Sequence, residues 1–465
     1  MARIRAPEWC RARCAQAKPS RLRSHYRTLT EAGPILRRVL KNAGKLLGGR
    51  TVNAGLSLAY TAIAARALGV HVFGLLVLIH AFAQFLGDVV KFQSWQTVLQ
   101  YGARPLAEGR AADLHRVIRF TVVLDAVSGL AGIAIGVAVA LLFGAQLGWP
   151  PGQGPAAAAY AVSVGFMTAA TPLGVLRLLD RFDIMAGQAV VASTVRIGGC
   201  ALGYVLHASL GFFLVVWAAG TLAGFLFLSG GAWRELRRRG LMAGFRWRGP
   251  ATVNVPGAWR FAWATNLNAT LGVAFTHLVT LMIGALLGAS DAALWRVGRQ
   301  VADAIAKPVR LLTPALYPEL ARLQASGAEK IMWRVAWRIC LAAGAVGVLL
   351  LGISAFAGEP LLRLVMGPAF GAAAAVMTWQ VGAAVIDLVA LPLEPMVISL
   401  GRAGGAVRVR VVVAVCYAAA LPFLVRRFGV DAAGMALVAA SAALAVGMFG
   451  LLLRRAARAR RQKSA

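Results

Sequence analysis

The sequence predicts an all-α polytopic membrane protein, with about twelve transmembrane helices in two pseudo-symmetric six-helix lobes. Of its 465 residues 59% are hydrophobic and 14% are charged, and the mean hydropathy is +0.70. Apolar runs of about 20 residues, the length a helix needs to cross the hydrocarbon core, recur along the chain. A pattern of polar residues that follows Gly69 recurs after Gly288, 219 residues later. Together these observations predict a duplicated bundle of membrane helices.

Five segments follow from the distribution of apolar and basic residues. Residues 1–45 form a basic cytosolic tail, expected to be disordered, and residues 46–231 form the N-terminal lobe. Residues 232–258 form a basic cytosolic linker, residues 259–453 the C-terminal lobe, and residues 454–465 a second basic tail. The predicted spans are approximately 46–68, 71–92, 117–143, 155–177, 184–206, 209–231, 259–287, 292–316, 336–357, 372–398, 407–425 and 430–453.

The positive charge predicts the orientation of the chain. The net charge is +32, which in a soluble protein would favour nucleic acid as a partner. In a membrane protein, Arg and Lys concentrate in the cytoplasmic connections. Basic connections, such as 232–239, alternate here with short and nearly uncharged ones, such as 144–155. We therefore expect a multi-pass protein with both termini in the cytosol and no nucleic-acid partner.

Cysteine usage predicts neither a metal site nor another cofactor. Cys10 and Cys14 lie in the basic tail without a second pair of ligands, and the other three of the five cysteines lie in apolar helices. The sequence contains no GxxxxGK[ST] phosphate loop, so transport driven by ATP is not supported.

The predicted eighth span, 292–316, carries charged side chains on one helical face. They are Arg296, Arg299, Asp303, Lys307 and Arg310, at spacings of three or four. A charge near the bilayer centre costs about 2.5–3.5 kcal/mol, so this face is expected to line a hydrated interior. Its positive balance favours an anionic cargo. The alternative, a helix lying along the membrane interface, would invert the orientation of every later connection.

The polar positions of the second span match those of the eighth when Gly69 is aligned with Gly288. Both segments follow an apolar helix and turn at a Leu-Gly pair. His80 then falls on Arg299, Gln84 on Asp303, Asp88 on Lys307 and Lys91 on Arg310. This register predicts two parallel repeats, with the cargo site between them near the midplane.

Two segments of the chain resemble a known family. The first contains Asn53, the ARALG of 65–69 and the Phe73-Gly74 pair; the second is AKPVRLLTPALYPELARL, residues 306–323. They resemble bacterial polysaccharide and O-antigen flippases of the multidrug/oligosaccharidyl-lipid/polysaccharide exporter superfamily. The resemblance implies two lobes in a V shape, alternating access and a place in the bacterial inner membrane. It also implies an undecaprenyl-pyrophosphate-linked oligosaccharide as cargo, for polysaccharide or lipopolysaccharide synthesis, with membrane lipids and polysaccharide assembly proteins as partners.

Such a cargo requires cations for its pyrophosphate, and Arg suits this role because it binds phosphate oxygens bidentately. The predicted basic cavity consists of Arg50, Asn53, His80, Gln84, Arg196 and the basic members of the eighth span, which are Arg296, Arg299, Lys307 and Arg310. For Arg50 the alternative is a side chain that extends to the cytosolic boundary. For Arg196 the alternative is a structural pair with Asp125.

Four intramembrane acids are candidates for energy coupling by protons or sodium, or for ion pairs. They are Asp88, Asp125, Asp303 and Asp387. For Asp303 we favour an ion pair with Arg299 or Lys307, because both lie at helical spacing from it. The sequence does not decide which ion would be used.

Two other functions compete with the flippase. A multidrug exporter of the same superfamily would favour an acidic, aromatic chamber for cations, whereas the charged span here is positive. A membrane-embedded polysaccharide polymerase would favour large outer loops, whereas the predicted outer connections are short. We therefore expect a transporter without enzymatic activity and assign no catalytic residue.

Overall fold

The fold is helical throughout the parts of the chain that the computed structural model describes, which are residues 21–247, 257–310, 329–400 and 402–464. The helices of the first half are α1 (Arg21–Val90), α2 (Ser94–Ala107), α3 (Ala111–Phe143), α4 (Gly154–Ala161), α5 (Val164–Met167), α6 (Thr171–Leu178), α7 (Phe182–Val205) and α8 (Leu210–Arg238). Those of the second half are α9 (Ala258–Leu287), α10 (Ala289–Arg310), α11 (Glu329–Met366), α12 (Ala373–Val389), α13 (Leu393–Ser399), α14 (Ala403–Phe428) and α15 (Val430–Ser464). A short 3₁₀ turn, Pro368–Ala372, precedes α12.

The chain turns at both predicted Leu-Gly pairs. Gly69 interrupts α1 with φ 69° and ψ 170°, and Gly288 separates α9 from α10 with φ 100° and ψ −179°. Positive φ with extended ψ is open essentially to glycine alone, which explains why glycine stands at both positions. We call the end of the bundle that carries these two glycines the turn end; it is the predicted outer side.

Helix positions in the two halves correspond at nearly the same offset as the two turns. Helix α4 begins at Gly154 and α12 at Ala373, 219 residues apart, while α8 begins at Leu210 and α15 at Val430, 220 residues apart. This correspondence supports duplication of a six-span unit. The boundaries proposed for the two lobes, the linker and the tails stay predictions; α1 already begins at Arg21, inside the region assigned to the N-terminal tail.

Nine stretches within the described ranges are long and apolar enough to cross a membrane. They are Thr51–Ala107, Ala111–Phe143, Gly154–Leu178, Phe182–Val205, Leu210–Arg238, Lys330–Met366, Pro368–Ser399, Gly404–Phe428 and Val430–Leu453. Thr51–Ala107 contains the turn at Gly69, so it covers two of the predicted spans. Large apolar side chains point outward from them, and Phe356 of α11 is 90% exposed. Apolar surface this extensive requires lipid around it.

Three features of the helices differ from the predicted spans. Helix α2 was not predicted, and its 14 residues are too few to give the signal of a span. The predicted span 155–177 is broken into α4, α5 and α6, with residues 168–170 outside any helix. The predicted span 372–398 ends α12 at Val389 and resumes as α13 at Leu393, next to Pro392, because proline removes a helical hydrogen bond.

The two halves pack closely at the turn end. A Cβ atom added to Gly74 of α1 would lie 1.9 Å from the carbonyl oxygen of Ala289, at the start of α10. The rings of Phe73 and Phe370 meet edge to face at 5.8 Å between centroids. The halves are therefore closed against each other at this end, with backbone in direct contact.

Candidate functional site

A cavity lies between the two halves, about one third of the way along α1 and α10 from the turn end. We call it the central cavity; its polar lining consists of Tyr60, Thr61, His80, Gln84, His277, Thr280, Arg296 and Gln300. Trp217 and apolar residues of α1 complete the wall. The space is about 30 Å³, enough for one or two water molecules. In this closed arrangement the cavity is too small for a sugar.

The charged face of α10 is turned toward α1. Gln300 donates a hydrogen bond from Nε2 to Ser57 Oγ at 3.4 Å, and its Oε1 accepts one from Thr61 Oγ1 at 3.1 Å. Arg296, one turn earlier, lines the central cavity. The opposite face packs inward, with Gly298 against Met377 of α12. A helix held between α1 and α12 does not fit the alternative of a helix lying along the membrane interface.

Arg196 of α7 is held by aromatic rings. Its guanidinium lies 5.6 Å from the ring centroid of Tyr60 and 5.7 Å from that of Trp217. It donates one hydrogen bond to Thr221 Oγ1 at 3.1 Å, while its Nε has no partner among the described residues. Cation–π contacts of this kind hold a guanidinium without neutralising its charge.

The suggested pair between Arg196 and Asp125 is wrong. Asp125 of α3 accepts hydrogen bonds on Oδ2 from the backbone N–H groups of Ala170 and Thr171, at 2.8 and 2.7 Å. It therefore caps the start of α6 across the break in the predicted span. Sequence reasoning missed this role because the break itself was not predicted.

Two groups from opposite halves form an ion pair beside the cavity. His277 Nε2 of α9 lies 3.3 Å from Asp88 Oδ2 of α1, which forms an ion pair when the imidazole is protonated. His80 makes a separate contact, with its Nδ1 2.7 Å from the hydroxyl of Tyr160. Asp88 is thus an ion-pair partner in this arrangement, and it joins the halves.

The ion pair predicted for Asp303 is present: its Oδ1 lies 3.4 Å from Nε of Arg299, one helical turn away. Asn53 accepts a hydrogen bond from Ser193 Oγ at 2.7 Å, which fastens α1 to α7 within one half. Asp387 lies elsewhere, in a cavity of about 340 Å³ with Glu394 and Arg410.

The remaining predicted cavity residues are Arg50, Lys307 and Arg310, whose side chains lie outside the described residues. The structure adds Tyr60, Trp217 and Gln300, which the sequence had not singled out. Gln300 follows Arg299 directly and shares the polar face of α10, so its position carried a signal. The aromatic pair carried none, because aromatic residues are also common in apolar helices.

The charge of the central cavity is positive. Arg196 and Arg296 both lie near the ring of His80, one from each half of the chain. Within the described ranges, neither guanidinium has a carboxylate oxygen within 4.0 Å. The nearby acid, Asp88, is occupied by His277. The arrangement presents two cations, several amide and hydroxyl groups and an aromatic wall to whatever enters.

Comparison with known proteins places the chain in a family. The family described as "Polysaccharide biosynthesis protein" matches residues 39–324. The inner membrane protein YghQ of Escherichia coli (strain K12) is 30% identical over 337 residues, which cover 72% of this chain and 94% of the relative. The chain belongs to the polysaccharide biosynthesis protein family. With its apolar spans, this identifies a multi-pass membrane protein.

Solved structures show the same fold. An inward-facing multidrug resistance MATE family transporter of the MOP superfamily superposes with a TM-score of 0.67, at 12% identity, covering 89% of this chain and 94% of that one. The lipid II flippase MurJ, in an inward closed conformation, gives 0.66 at 9% identity, covering 88% of this chain and 87% of that one. Identities this low establish the transporter fold and nothing finer.

A contact at the turn end leads to a first prediction. Arg66 of α1 donates hydrogen bonds to the carbonyl oxygens of Val365, at 3.0 Å from Nε, and of Leu364, in the last turns of α11. A cation at a helix C-terminus contributes about 0.3–1 kcal/mol. We expect Arg66→Gln to raise the accessibility of the central cavity from the turn end about two- to fivefold.

The measurement is labelling by a membrane-impermeant maleimide of a single cysteine, Leu76→Cys, in a protein without its five native cysteines. The matched control is Arg363→Gln, because Arg363 pairs with Glu359 of its own helix. Equal labelling of the two variants would show that Arg66 does not hold the halves together.

Proposed function

We propose that this protein is a flippase that moves an undecaprenyl-pyrophosphate-linked oligosaccharide from the inner to the outer leaflet of the bacterial inner membrane. In this proposal both termini are cytosolic, the turn end faces outward, and the glycan serves the synthesis of a surface polysaccharide. The proposal is supported most by one observation: Arg196 and Arg296 approach the central cavity from opposite halves, and neither is neutralised by a described carboxylate.

The pyrophosphate is the part of the cargo that such a pair suits. A pyrophosphate carries several negative charges and must leave the hydrated headgroup layer, which is costly unless cations replace the water. Guanidinium groups remain charged and donate paired hydrogen bonds to phosphate oxygens. Two of them on opposite walls would grip the pyrophosphate as the halves close. The sugar would occupy the widened cavity, and the prenyl chain would stay in the lipid.

Movement would occur by alternating access. The contacts at the turn end, including Gly74 against Ala289, close one side of the cavity. Release of the cargo on that side would require these contacts to separate. The pair between Asp88 and His277 spans the halves, so gain or loss of its proton would change the attraction between them. In our proposal this pair couples the movement to protons.

The multidrug exporter remains the second candidate, because the fold is shared with a MATE transporter. A cationic drug would need a free acid in the cavity. The acid beside the cavity, Asp88, is paired with His277, and Arg296 would repel such a drug. The cavity therefore favours an anionic cargo.

The test is translocation by the purified protein in liposomes. A fluorescent undecaprenyl-pyrophosphate-linked oligosaccharide is added, and the fraction that becomes inaccessible to an impermeant quencher is followed over time. We expect movement of this lipid at a rate well above that of protein-free liposomes, and no movement of a cationic dye. Transport of the dye with no movement of the lipid would replace the flippase by the exporter.

A further inference from the structure

A second polar site lies away from the central cavity, where the predicted span 155–177 breaks into α4, α5 and α6. A cavity of about 320 Å³ opens beside this break. Its walls are almost entirely apolar, apart from Asp125 of α3, Thr171 of α6 and Ser229 of α8. Polar oxygens concentrated in one corner of an apolar cavity indicate a small polar ligand.

Asp125 is buried and only half satisfied. Its side chain belongs to a residue that is 7% exposed, and Oδ2 is fully used by the N–H groups of Ala170 and Thr171. The other oxygen, Oδ1, is buried without a hydrogen-bond partner in the described part of the chain. A charged carboxylate in this state is costly unless a cation reaches its free oxygen.

Hydroxyl groups surround the same carboxyl. The side chains of Ser94 and Thr171 are directed to Asp125, but neither hydroxyl completes a hydrogen bond of good geometry among the described residues. Both residues are almost completely buried, at 0% and 2% exposed. Three oxygens from α2, α3 and α6 thus lack partners in one place. Because buried polar atoms normally find partners, this cluster requires an explanation.

The Asp125 carboxyl has no cationic side chain beside it in the described ranges; only hydroxyl and backbone N–H groups contact it. Carboxylate and hydroxyl oxygens are hard ligands that suit cations such as Na⁺. A divalent ion would favour several acids, and no group of three His, Cys, Asp or Glu occurs in the part of the chain searched. The backbone at 168–170 is unwound, and carbonyl groups of broken membrane helices are common ligands of coupling cations.

We infer that Asp125 Oδ1, Thr171 Oγ1 and Ser94 Oγ form a binding site for a monovalent cation, Na⁺ by preference, at the break between α5 and α6. Water in the adjoining cavity completes the coordination. Pro172 fits this arrangement, because it has no N–H group to compete for Asp125. An ion here would fasten α2, α3 and α6 together, and its release would loosen the broken helix. The site does not depend on which cargo occupies the central cavity.

The test measures binding of ²²Na⁺ to the purified full-length protein by scintillation proximity, without any lipid cargo. We expect saturable binding that excess NaCl displaces and choline chloride does not. Asp125→Asn keeps an oxygen for capping α6 but removes the charge, and should reduce the number of bound ions by one. Thr171→Val, which removes a single ligand, should weaken binding about tenfold.

The matched control is Asp113→Asn, near the start of the same helix, because Asp113 pairs with Arg110 and Arg116 at the surface. It should bind Na⁺ as the unaltered protein does. If Asp125→Asn does not fold, Thr171→Val and Ser94→Ala decide the question. An unchanged number of bound ions in Asp125→Asn, or unchanged affinity in both hydroxyl variants, would overturn the inference. Failure of flipping with intact Na⁺ binding would instead count against the proposed function alone.

Discussion

Arg296→Ala is expected to reduce flipping of the lipid-linked oligosaccharide about 10- to 100-fold in liposomes. A hydrogen bond to a charged group contributes about 1.5–3 kcal/mol, and the variant would lose such contacts with the pyrophosphate. Arg196→Ala should have an effect of the same size, because it removes the matching cation from the other half. Rates are measured at equal amounts of reconstituted protein.

The matched control is Arg177→Ala. Arg177 carries the same guanidinium, but it stacks over the ring of Trp95 at 4.0 Å and lies outside the central cavity. It should flip at a rate close to that of the unaltered protein. Arg296→Lys separates charge from geometry: a point charge without the planar fork should restore part of the rate. Undiminished flipping by both alanine variants would contradict a basic cavity as the route of the cargo.

Gly74→Ala is expected to shift the protein away from the arrangement closed at the turn end. The added methyl group would lie 1.9 Å from the carbonyl oxygen of Ala289, far inside van der Waals contact. Relief requires the backbones of α1 and α10 to separate, and overpacking of this kind costs about 1–3 kcal/mol. The ratio of open to closed protein should rise about 5- to 150-fold.

The readout is maleimide labelling of the Leu76→Cys protein from the turn end, together with the rate of flipping. Labelling should increase, and flipping should fall, because the cycle needs both closed states. Gly55→Ala is the matched control on the same helix, since a Cβ atom there meets no atom within 4 Å. Similar labelling of the Gly74 and Gly55 variants would show that the closed contact does not hold the halves.

Much of the fold could be predicted because it rests on patterns that are local in sequence. Apolar runs predicted most of the spans, and the Leu-Gly pairs predicted the turns at Gly69 and Gly288, where positive φ requires glycine. The break at 168–170 was not predicted, because it depends on Asp125, which lies 45 positions before Ala170 in sequence and donates its oxygen across helices. Helix α2 was missed because a short amphipathic helix gives no signal of a span.

The candidate site was predicted in part for the same reason. The helical spacing of Arg296, Arg299 and Asp303 placed them on one face and predicted the pair of Arg299 with Asp303. The partners of Arg196 come from α1 and α8, and no local pattern identifies them. The pair of Asp88 with His277 joins residues 189 positions apart, so it follows from tertiary packing alone.

The most direct test of the central claim is the affinity of the protein for undecaprenyl pyrophosphate, measured by native mass spectrometry. The unaltered protein, the Arg196→Gln/Arg296→Gln variant and Arg177→Gln are compared, with undecaprenol as the ligand that lacks the pyrophosphate. We expect the double variant to lose at least tenfold in affinity for the pyrophosphate lipid, with undecaprenol binding and Arg177→Gln unchanged. Equal affinity of the double variant and the unaltered protein would contradict the claim that these two guanidinium groups bind the cargo.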